Sequence, residues 1–388
     1  MKTIQLMNKI AACGTKVFTP DNYQVTDTAD APDAIMVRSA SLLEMEIPAS
    51  LQAIARAGAG VNNIPIDRCS EAGVVVFNTP GANANGVKEL AVAALILASR
   101  NIVGGIEWVN TLKGTTGIAK AVEKGKSAYV GCELYGKTLG VVGLGAIGGM
   151  VANAAGRLGM TVLGCDPYIT VAAAWALSGS VHKAASYDEI YREADYITLH
   201  VPSTPETKGM ICKKTLDMMK NGVRIINLAR ADLVNTEDMK EALASGKVAA
   251  YVTDFPTDET VGYPGIVNIP HLGASTYESE DHCAEMAGRQ LADFLENGNI
   301  TNSVNYPAVS MPRSAAGVQR LCLMHRNIPN ILSQVTSLVS AEGINIENLS
   351  NGSRGEYAYT MLDVTREISA ETAEKIASIE GAIRFFTL

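Results

Sequence analysis

The feature that most constrains the fold is a glycine-rich hexamer, Gly143-Leu144-Gly145-Ala146-Ile147-Gly148, between a strand-like and a helix-like segment. The strand-like run 138–142 precedes it, and Asp166 lies 18 residues after Gly148, at the end of the next strand-like run. Such glycines allow a tight turn and close backbone approach to a pyrophosphate, and the helix N-terminus offers free N–H groups. The acidic residue can bind both ribose hydroxyls and would repel a 2′-phosphate. The pattern predicts a Rossmann-type domain that binds NAD rather than NADP.

Strand-like and helix-like segments alternate from residue 137 to about residue 279, which predicts a doubly wound parallel sheet in an α/β protein. The first 90 residues alternate in the same way, with strands expected at 34–37 and 73–77. A helix is expected over 86–101, whereas residues 102–136 are polar and predict irregular structure. We therefore expect more than one α/β domain.

Composition excludes several classes of function. A net charge of −8 argues against nucleic acid as a bulk partner, because phosphate backbones require a basic face. The seven cysteines are an odd number without C-x-x-C spacing, which favours free thiols in the cytoplasm over disulfides or a metal site. No apolar run is long enough to span a bilayer, so we expect a soluble, cytoplasmic protein without a membrane partner or a signal peptide.

Three polar segments follow strands of the predicted sheet, where ligands of such sheets bind. They carry Arg230, the acidic stretch 254–259, and His271. A histidine can take the proton of a hydroxyl, a carboxylate can orient its ring, and a guanidinium can clamp a carboxylate at two points. These are the groups required to oxidise a hydroxy acid.

With these motifs the whole chain resembles the D-isomer-specific 2-hydroxy acid dehydrogenase family. The segment His200-Val201-Pro202, with Thr204, Glu206 and Thr207, is similar to a family loop beside the cofactor. The resemblance implies that Arg230, Glu259 and His271 are catalytic, and that His200 is a cofactor-wall or structural residue. It implies NAD contacts from Gly143, Gly145, Ala146, Ile147, Gly148, Asp166, His200, Pro202, Leu228, Ala229, Arg230, Asp254, His271 and Gly273.

The carboxylate partner of His271 has two candidates. Alignment without a gap from Gly246 matches both Asp254 and Glu259 to the family, whereas alignment on Phe255-Pro256-Thr257 would put Asp258 in place of Glu259. We prefer Glu259. The family also usually has glycine where this chain has Ala231.

Three loops after strands of the first 90 residues, at 37–39, 59–64 and 78–85, are similar to the family's substrate loops. They imply substrate contacts from Arg38, Ser39, Asn83 and Asn85; ordinary turn chemistry is the alternative. In this family the substrate domain is split around the cofactor domain. We therefore predict a flavodoxin-like substrate domain over 1–95 and 280–310, and a cofactor domain over 96–279.

Residues 319–388 are predicted to form a further unit, after a proline-containing linker at 307–312. Their order β-α-β-β-α-β is ferredoxin-like and resembles an ACT regulatory domain. The resemblance implies that L-serine binds at His325, Asn327 and Asn345. Asn330 replaces a family glycine at the entrance to the first helix, so a purely oligomerising role is the alternative.

Within the family, the chain resembles the enzymes that oxidise D-3-phosphoglycerate to 3-phosphohydroxypyruvate, the first step of L-serine biosynthesis. One alternative is a dehydrogenase of the same family that acts on glyoxylate, hydroxypyruvate or another D-2-hydroxy acid. The other is an NAD(H)-sensing binding protein with the same fold. A homodimer or homotetramer is expected.

Overall fold

The computed structural model describes residues 1–314 and 318–388. Its contacts divide the chain into two compact units. The first unit contains residues 1–82 and 280–388, and the second contains residues 83–279. We call them the split unit and the central unit.

Residues 1–82 form a parallel sheet with short, apolar strands. The elements are β1 (Lys2–Met7), a 3-10 turn (Ala12–Thr15), β2 (Tyr23–Thr26), β3 (Ala34–Val37), β4 (Ala53–Arg56), α1 (Ile66–Glu71) and β5 (Val75–Phe77). The strand order β2-β1-β3-β4-β5 is that of flavodoxin. Every residue of β3 and β5 is buried, as expected for strands covered on both faces. The predicted flavodoxin-like sheet is therefore confirmed.

The central unit is built on a seven-stranded parallel sheet. Its helices are α2 (Ala84–Ser99), α3 (Ile102–Thr111), α4 (Ile118–Gly125), α5 (Ala146–Arg157), α6 (Val171–Trp175), α7 (Tyr187–Glu193), α8 (Lys213–Met218) and α9 (Thr236–Ala244), with 3-10 turns at Lys126–Tyr129 and Ala231–Leu233. Its strands are β6 (Thr138–Val142), β7 (Thr161–Cys165), β8 (Val181–Lys183), β9 (Tyr196–Leu199), β10 (Val223–Asn227), β11 (Val248–Thr253) and β12 (Ile266–Asn268). The order β8-β7-β6-β9-β10-β11-β12 confirms the Rossmann prediction.

Helix α2 belongs to the central unit, although the sequence placed most of it in the substrate domain. Its apolar face, with Ala91, Ala94 and Leu95, is buried in one cluster with Val151 and Ala152 of α5. The boundary between the two units along the chain consequently lies between residues 82 and 83 rather than between 95 and 96.

The expectation of irregular structure over residues 102–136 was wrong. Helices α3 and α4 lie there, and neither has a buried residue. Ile102, Ile106 and Val109 of α3 recur at the spacing of one helix face, so the sequence does contain a helical signal in this region. Ile106 of α3 is 56% exposed.

The C-terminal residues form an antiparallel sheet after a long helix. The elements are α10 (Tyr277–Asn297), β13 (Gln319–Arg326), α11 (Ile331–Ala341), β14 (Ile346–Arg354), β15 (Tyr357–Val364), α12 (Ala370–Ala377) and β16 (Ala382–Thr387). The order β14-β15-β13-β16 is the ferredoxin-like arrangement. One face of the sheet packs on α11 and α12 through residues such as Leu323, Val335 and Leu362.

The opposite face of this sheet completes the core begun by residues 1–82. Cys322, Met324 and Tyr359 share one buried cluster with Phe77 and Phe294. The predicted linker is also packed, since Val309 forms a bridge with Ile300 and both are buried. The C-terminal strands are thus part of the split unit rather than a separate body.

Among the residues that the structure describes, no single helix is long and apolar enough to cross a membrane. Helices α2 and α3 taken together have the length and apolar composition of a membrane-spanning segment, but they are bent by 69° relative to each other.

Candidate functional site

The glycine loop follows β6 and leads into α5, as the sequence predicts. Gly143 has φ +88°, and a Cβ there would lie 2.5 Å from the His200 carbonyl oxygen. A Cβ on Gly148 would collide with the Gly143 carbonyl. A Cβ on Gly145 would meet nothing, so the space in front of this residue is open. The first and third glycines are required for packing, and the second leaves room for a ligand.

Asp166 lies directly after β7 beside this loop. Its Oδ2 accepts a hydrogen bond from the Leu144 N–H at 2.9 Å, and its Oδ1 accepts one from the Tyr168 N–H at 2.9 Å. Each carboxylate oxygen has a further lone pair. The side chain is therefore held in place with acceptor capacity left for a ribose.

These features fit the NAD that the sequence predicts. Helix α5 begins at Ala146, followed by Ile147, and its first turn has neither a side-chain cap nor an acidic residue. The first N–H groups of the helix can therefore bind a phosphate. Together with Gly145 and Asp166, they supply the groups that a dinucleotide requires.

His200 follows β9 as a wall residue of this loop. Its Nε2 lies 2.9 Å from Thr198 Oγ1, and burial lowers its pKa to about 4. The ring is consequently neutral near pH 7. Pro202 follows, and its carbonyl accepts a hydrogen bond from Thr207 Oγ1. The arrangement agrees with a wall role for His200 rather than an acid/base role.

Arg230 lies in a tight turn after β10. Asn227 is fully buried and forms the turn: its Oδ1 accepts from the N–H groups of Ala229 and Arg230, and its Nδ2 donates to the Arg230 carbonyl. Leu228 is buried, whereas the Arg230 guanidinium is exposed and donates to the Ala229 carbonyl. The turn thus presents a cation at the carboxyl edge of the sheet.

Asp254 and His271 follow β11 and β12 at the same edge. Asp254 is 1% exposed, and its Oδ1 has no hydrogen-bond partner among the described residues. Burial raises the pKa of its carboxyl, against the opposing effect of the nearby charges of His271 and Arg230. His271 is exposed and its ring packs edge-on against Phe255, with centroids 4.9 Å apart. A cation, a buried carboxylate and an imidazole are therefore grouped at this edge, although the carboxylate is Asp254, which the sequence assigns to the cofactor, and not Glu259.

Neither candidate partner carboxylate reaches His271 in this structure. Asp258 and Glu259 are both exposed, and no hydrogen bond joins either of them to the ring within the part of the chain described. Thr260 is buried and its hydroxyl donates to Asn268 Oδ1, which fixes this turn to β12. The predicted contact of Glu259 with His271 is not formed in this structure, so the catalytic role of Glu259 stays a prediction. The charge of His271 acts on the buried carboxyl of Asp254.

Gly273 is buried beside Asp254: a Cβ there would lie 3.8 Å from Asp254 Oδ2 and 3.2 Å from Val87. Any side chain would press on the start of α2. This glycine is therefore a packing requirement of the central unit.

In the split unit, Arg38 and Ser39 follow β3. Arg38 Nη2 donates to Glu280 Oε1 of α10 at 2.5 Å. The Ser39 N–H donates to Asn8 Oδ1 at 3.3 Å, and the Ser39 residue is exposed. Both predicted substrate residues lie at the carboxyl edge of the five-stranded sheet, where ligands of such sheets bind.

Sequence reasoning missed Arg56, the last residue of β4. Its Nε donates to the Arg38 carbonyl at 3.2 Å, and burial lowers the pKa of its guanidinium. Its other nitrogens form no hydrogen bond or ion pair within residues 1–314 and 318–388. The signal was available, because Arg56 ends a strand directly before the predicted substrate loop at 59–64.

Asn83 and Asn85 lie in the central unit, at the start of α2. Asn83 precedes the helix without forming a side-chain cap, and Asn85 Nδ2 donates to Glu89 Oε1 at 2.9 Å. Their substrate role stays a prediction. Asn78, by contrast, ties two loops of the split unit together, since its Nδ2 donates to the Ala59 carbonyl at 2.7 Å.

The predicted effector residues do not all meet within one chain. His325 is opposite Ala358 on β15, whereas Asn345 precedes Ile346, which is opposite Val364. Six residues of β15 separate these positions, or about 20 Å at 3.3 Å per residue. Asn327 stays near His325, with its Nδ2 donating to the Gly355 carbonyl.

His325 is buried and its ring nitrogens are already engaged. Nδ1 lies 2.8 Å from the Arg326 carbonyl, and Nε2 lies 2.9 Å from Thr360 Oγ1. Asn330 adopts the left-handed conformation, with φ +74°, that the family glycine would adopt readily. Asparagine tolerates this conformation, so the turn survives the replacement.

Comparison with known proteins gives consistent results. Residues 92–273 match the D-isomer specific 2-hydroxyacid dehydrogenase, NAD binding domain. A D-3-phosphoglycerate dehydrogenase of Mycobacterium bovis is 32% identical over 93% of this chain and 70% of its own length. One of Bacillus subtilis is 36% identical over 72% of this chain and 52% of its own length.

Among solved structures, an NAD+-bound 3-phosphoglycerate dehydrogenase of Entamoeba histolytica has a TM-score of 0.60 at 26% identity. The match covers 78% of this chain and 98% of that chain. The chain spans only 52–57% of the length of three curated relatives that it matches. On its fold, its glycine loop and its relatives, the chain belongs to the D-isomer-specific 2-hydroxyacid dehydrogenase family and contains that family's NAD-binding domain.

Proposed function

We propose that this chain is a NAD-dependent D-3-phosphoglycerate dehydrogenase. It oxidises D-3-phosphoglycerate to 3-phosphohydroxypyruvate, the first step of L-serine biosynthesis. The observation that carries the proposal is the pair Arg38 and Arg56 at the ends of β3 and β4. A 2-hydroxy acid needs one arginine, Arg230, for its carboxylate, and two further guanidiniums suit a phosphate.

The residues of the central unit have separate roles in this reaction. The glycine loop and Asp166 would hold NAD, which would supply the acceptor for the hydride from C2 of the substrate. His271 takes the proton of the C2 hydroxyl, and its contact with Phe255 limits the orientations of the ring. Asp254 stabilises the resulting imidazolium, and Arg230 holds the substrate carboxylate. Asp258 and Glu259 remain alternative partners if their turn moves when substrate binds.

The test is NADH oxidation by the purified chain with 3-phosphohydroxypyruvate, hydroxypyruvate, glyoxylate and 2-oxoglutarate. We expect the highest kcat/KM with 3-phosphohydroxypyruvate. A higher value with hydroxypyruvate or glyoxylate would assign the chain to another reaction of the family. NADH binding without turnover of any 2-oxo acid would favour the alternative of an NAD(H)-sensing binding protein.

One observation favours hydroxypyruvate as a second substrate. Glu280 neutralises Arg38 in this structure, which leaves Arg56 as the uncompensated guanidinium of the pair. A substrate hydroxyl could donate to this carboxylate, which a phosphate would meet as a like charge.

We also propose a homo-oligomer, a dimer or a tetramer. The exposed apolar side chains of α3 support it: Ile102, Val103, Ile106 and Val109 are each 40–56% exposed. Apolar patches of this kind are typical of contacts between protein chains. Light scattering of the full chain tests the proposal, and a monomer at micromolar concentration would contradict it.

L-serine is the candidate effector, at a site that two copies of the C-terminal sheet would share. The separation of His325 from Asn345 supports a shared site, because one chain cannot bring both to one amino acid. Serine would have to replace a contact of the His325 ring. Inhibition by millimolar L-serine, lost in Asn345→Ala, is the expected result; full activity in its presence would leave the sheet an assembly role.

A further inference from the structure

The Arg38–Glu280 ion pair lies where the proposed function requires a free cation. Nη2 and Oε1 are 2.5 Å apart, and the two side chains are 40% and 36% exposed. Both ends of the pair are thus held together but remain accessible to a ligand.

The charged groups around this pair determine how the Glu280 carboxylate affects the binding of an anion. Arg56 Nε donates to the backbone carbonyl of Arg38, so the second guanidinium lies against the Arg38 backbone, where the charge of Arg38 acts on it. Two cations and one carboxylate therefore give this cluster one net positive charge.

We propose that Glu280 determines the specificity of this site by competing with a substrate phosphate for Arg38. The inference rests on the proposed function. A phosphate must take Arg38 from Glu280 and meets the carboxylate as a like charge. A neutral hydroxymethyl group leaves the ion pair intact and can donate its hydroxyl proton to Glu280. The carboxylate therefore narrows the difference in affinity between phosphorylated and unphosphorylated 3-carbon 2-oxo acids.

Glu280→Gln is the discriminating variant, because glutamine keeps the length of the side chain and a carbonyl oxygen for Arg38. We expect the KM for 3-phosphohydroxypyruvate to fall about fivefold, the equivalent of a partly exposed ion pair. The KM for hydroxypyruvate should stay the same or rise, and kcat should change little for either substrate.

Asp281→Asn is the matched control, since it removes the same charge one residue along α10. Asp281 accepts a hydrogen bond from Cys13 Sγ and has no bond to Arg38. In this variant both KM values should match those of the wild type. In an Arg38→Ala background, Glu280→Gln should lose its effect on the phosphorylated substrate, because the carboxylate acts through Arg38.

Inorganic phosphate separates this inference from the proposed function. As a competitor of hydroxypyruvate, it should inhibit Glu280→Gln at about fivefold lower concentration than the wild type, whatever the natural substrate is. The proposal would be overturned if the Glu280→Gln variant had an unchanged or higher inhibition constant for phosphate and a raised KM for 3-phosphohydroxypyruvate. That result would show that Glu280 orients Arg38 for binding. Failure of the wild type to turn over 3-phosphohydroxypyruvate would refute only the proposed function.

Discussion

We predict that replacing Arg320 strongly destabilises the split unit, because this residue joins the C-terminal sheet to the rest of that unit. It is fully buried, and Asp363, its ion-pair partner, is 2% exposed. Its guanidinium also donates to the carbonyls of Asn297, Met311 and Pro312, at 2.7–3.0 Å. Burial alone would raise the pKa of Asp363, but the hydrogen bonds from Arg320 and the Ser314 N–H outweigh it and lower the pKa.

Arg320→Met keeps the volume of the aliphatic stem and removes the charge. It leaves a buried carboxylate and three carbonyls without this donor, and breaking a buried pair from one side costs about 3–5 kcal/mol. For a unit of about 150–250 residues, each kcal/mol lowers Tm by about 2–4 °C. We therefore expect the split unit to melt roughly 6–20 °C below the wild type.

The assay follows from the position of the two tryptophans. Trp108 and Trp175 both lie in the central unit, so tryptophan fluorescence reports on that unit while circular dichroism reports on both. The variant should show an early transition in circular dichroism that tryptophan fluorescence does not follow. Arg320→Met with Asp363→Leu should recover part of the loss, because no charge is then left unpaired. A single variant that melts as the wild type does would refute the reasoning.

Three further predictions concern the central unit. His271→Ala should lower kcat by about 10²–10⁴ while NADH binding, measured by fluorescence, is retained; unchanged turnover would remove His271 from the mechanism. Asp166→Ala should raise the KM for NAD and relax discrimination against NADP, and identical cofactor kinetics would contradict its ribose role. His200 is neutral when folded, with a pKa of about 4, so the stability it provides is present above its unfolded pKa of about 6.5 and is lost as pH falls from there towards 4. Urea unfolding of His200→Asn should vary less with pH over this interval, and equal slopes would argue against a buried neutral ring.

The cofactor site could be predicted from sequence because its signals are local. The glycine loop, Asp166 and the strand before each polar segment lie within short stretches of chain, and a parallel sheet brings the carboxyl ends of its strands to one edge. The same regularity gave the ferredoxin-like order of the last 70 residues.

The parts that the sequence did not predict depend on packing between distant residues. Arg56 can be assigned to the substrate site only from the structure, in which its Nε donates to the Arg38 carbonyl. The position of Glu259 depends on the bond from Thr260 to Asn268, which no alignment contains. The C-terminal sheet looked separate because a segment with two prolines, at 307–312, precedes it, but Cys322 and Tyr359 on one of its faces fill a core begun by residues 1–82.

This shared core has a consequence for the order in which the protein folds during synthesis. The central unit is one continuous stretch, residues 83–279, and can fold as soon as it leaves the ribosome. The split unit cannot complete its core until its second segment, residues 280–388, has followed. At about 5–20 residues per second, that segment takes roughly 5–20 s to make. Residues 1–82 are therefore made before the central unit but covered after it, and the apolar faces of their sheet stay exposed during this interval.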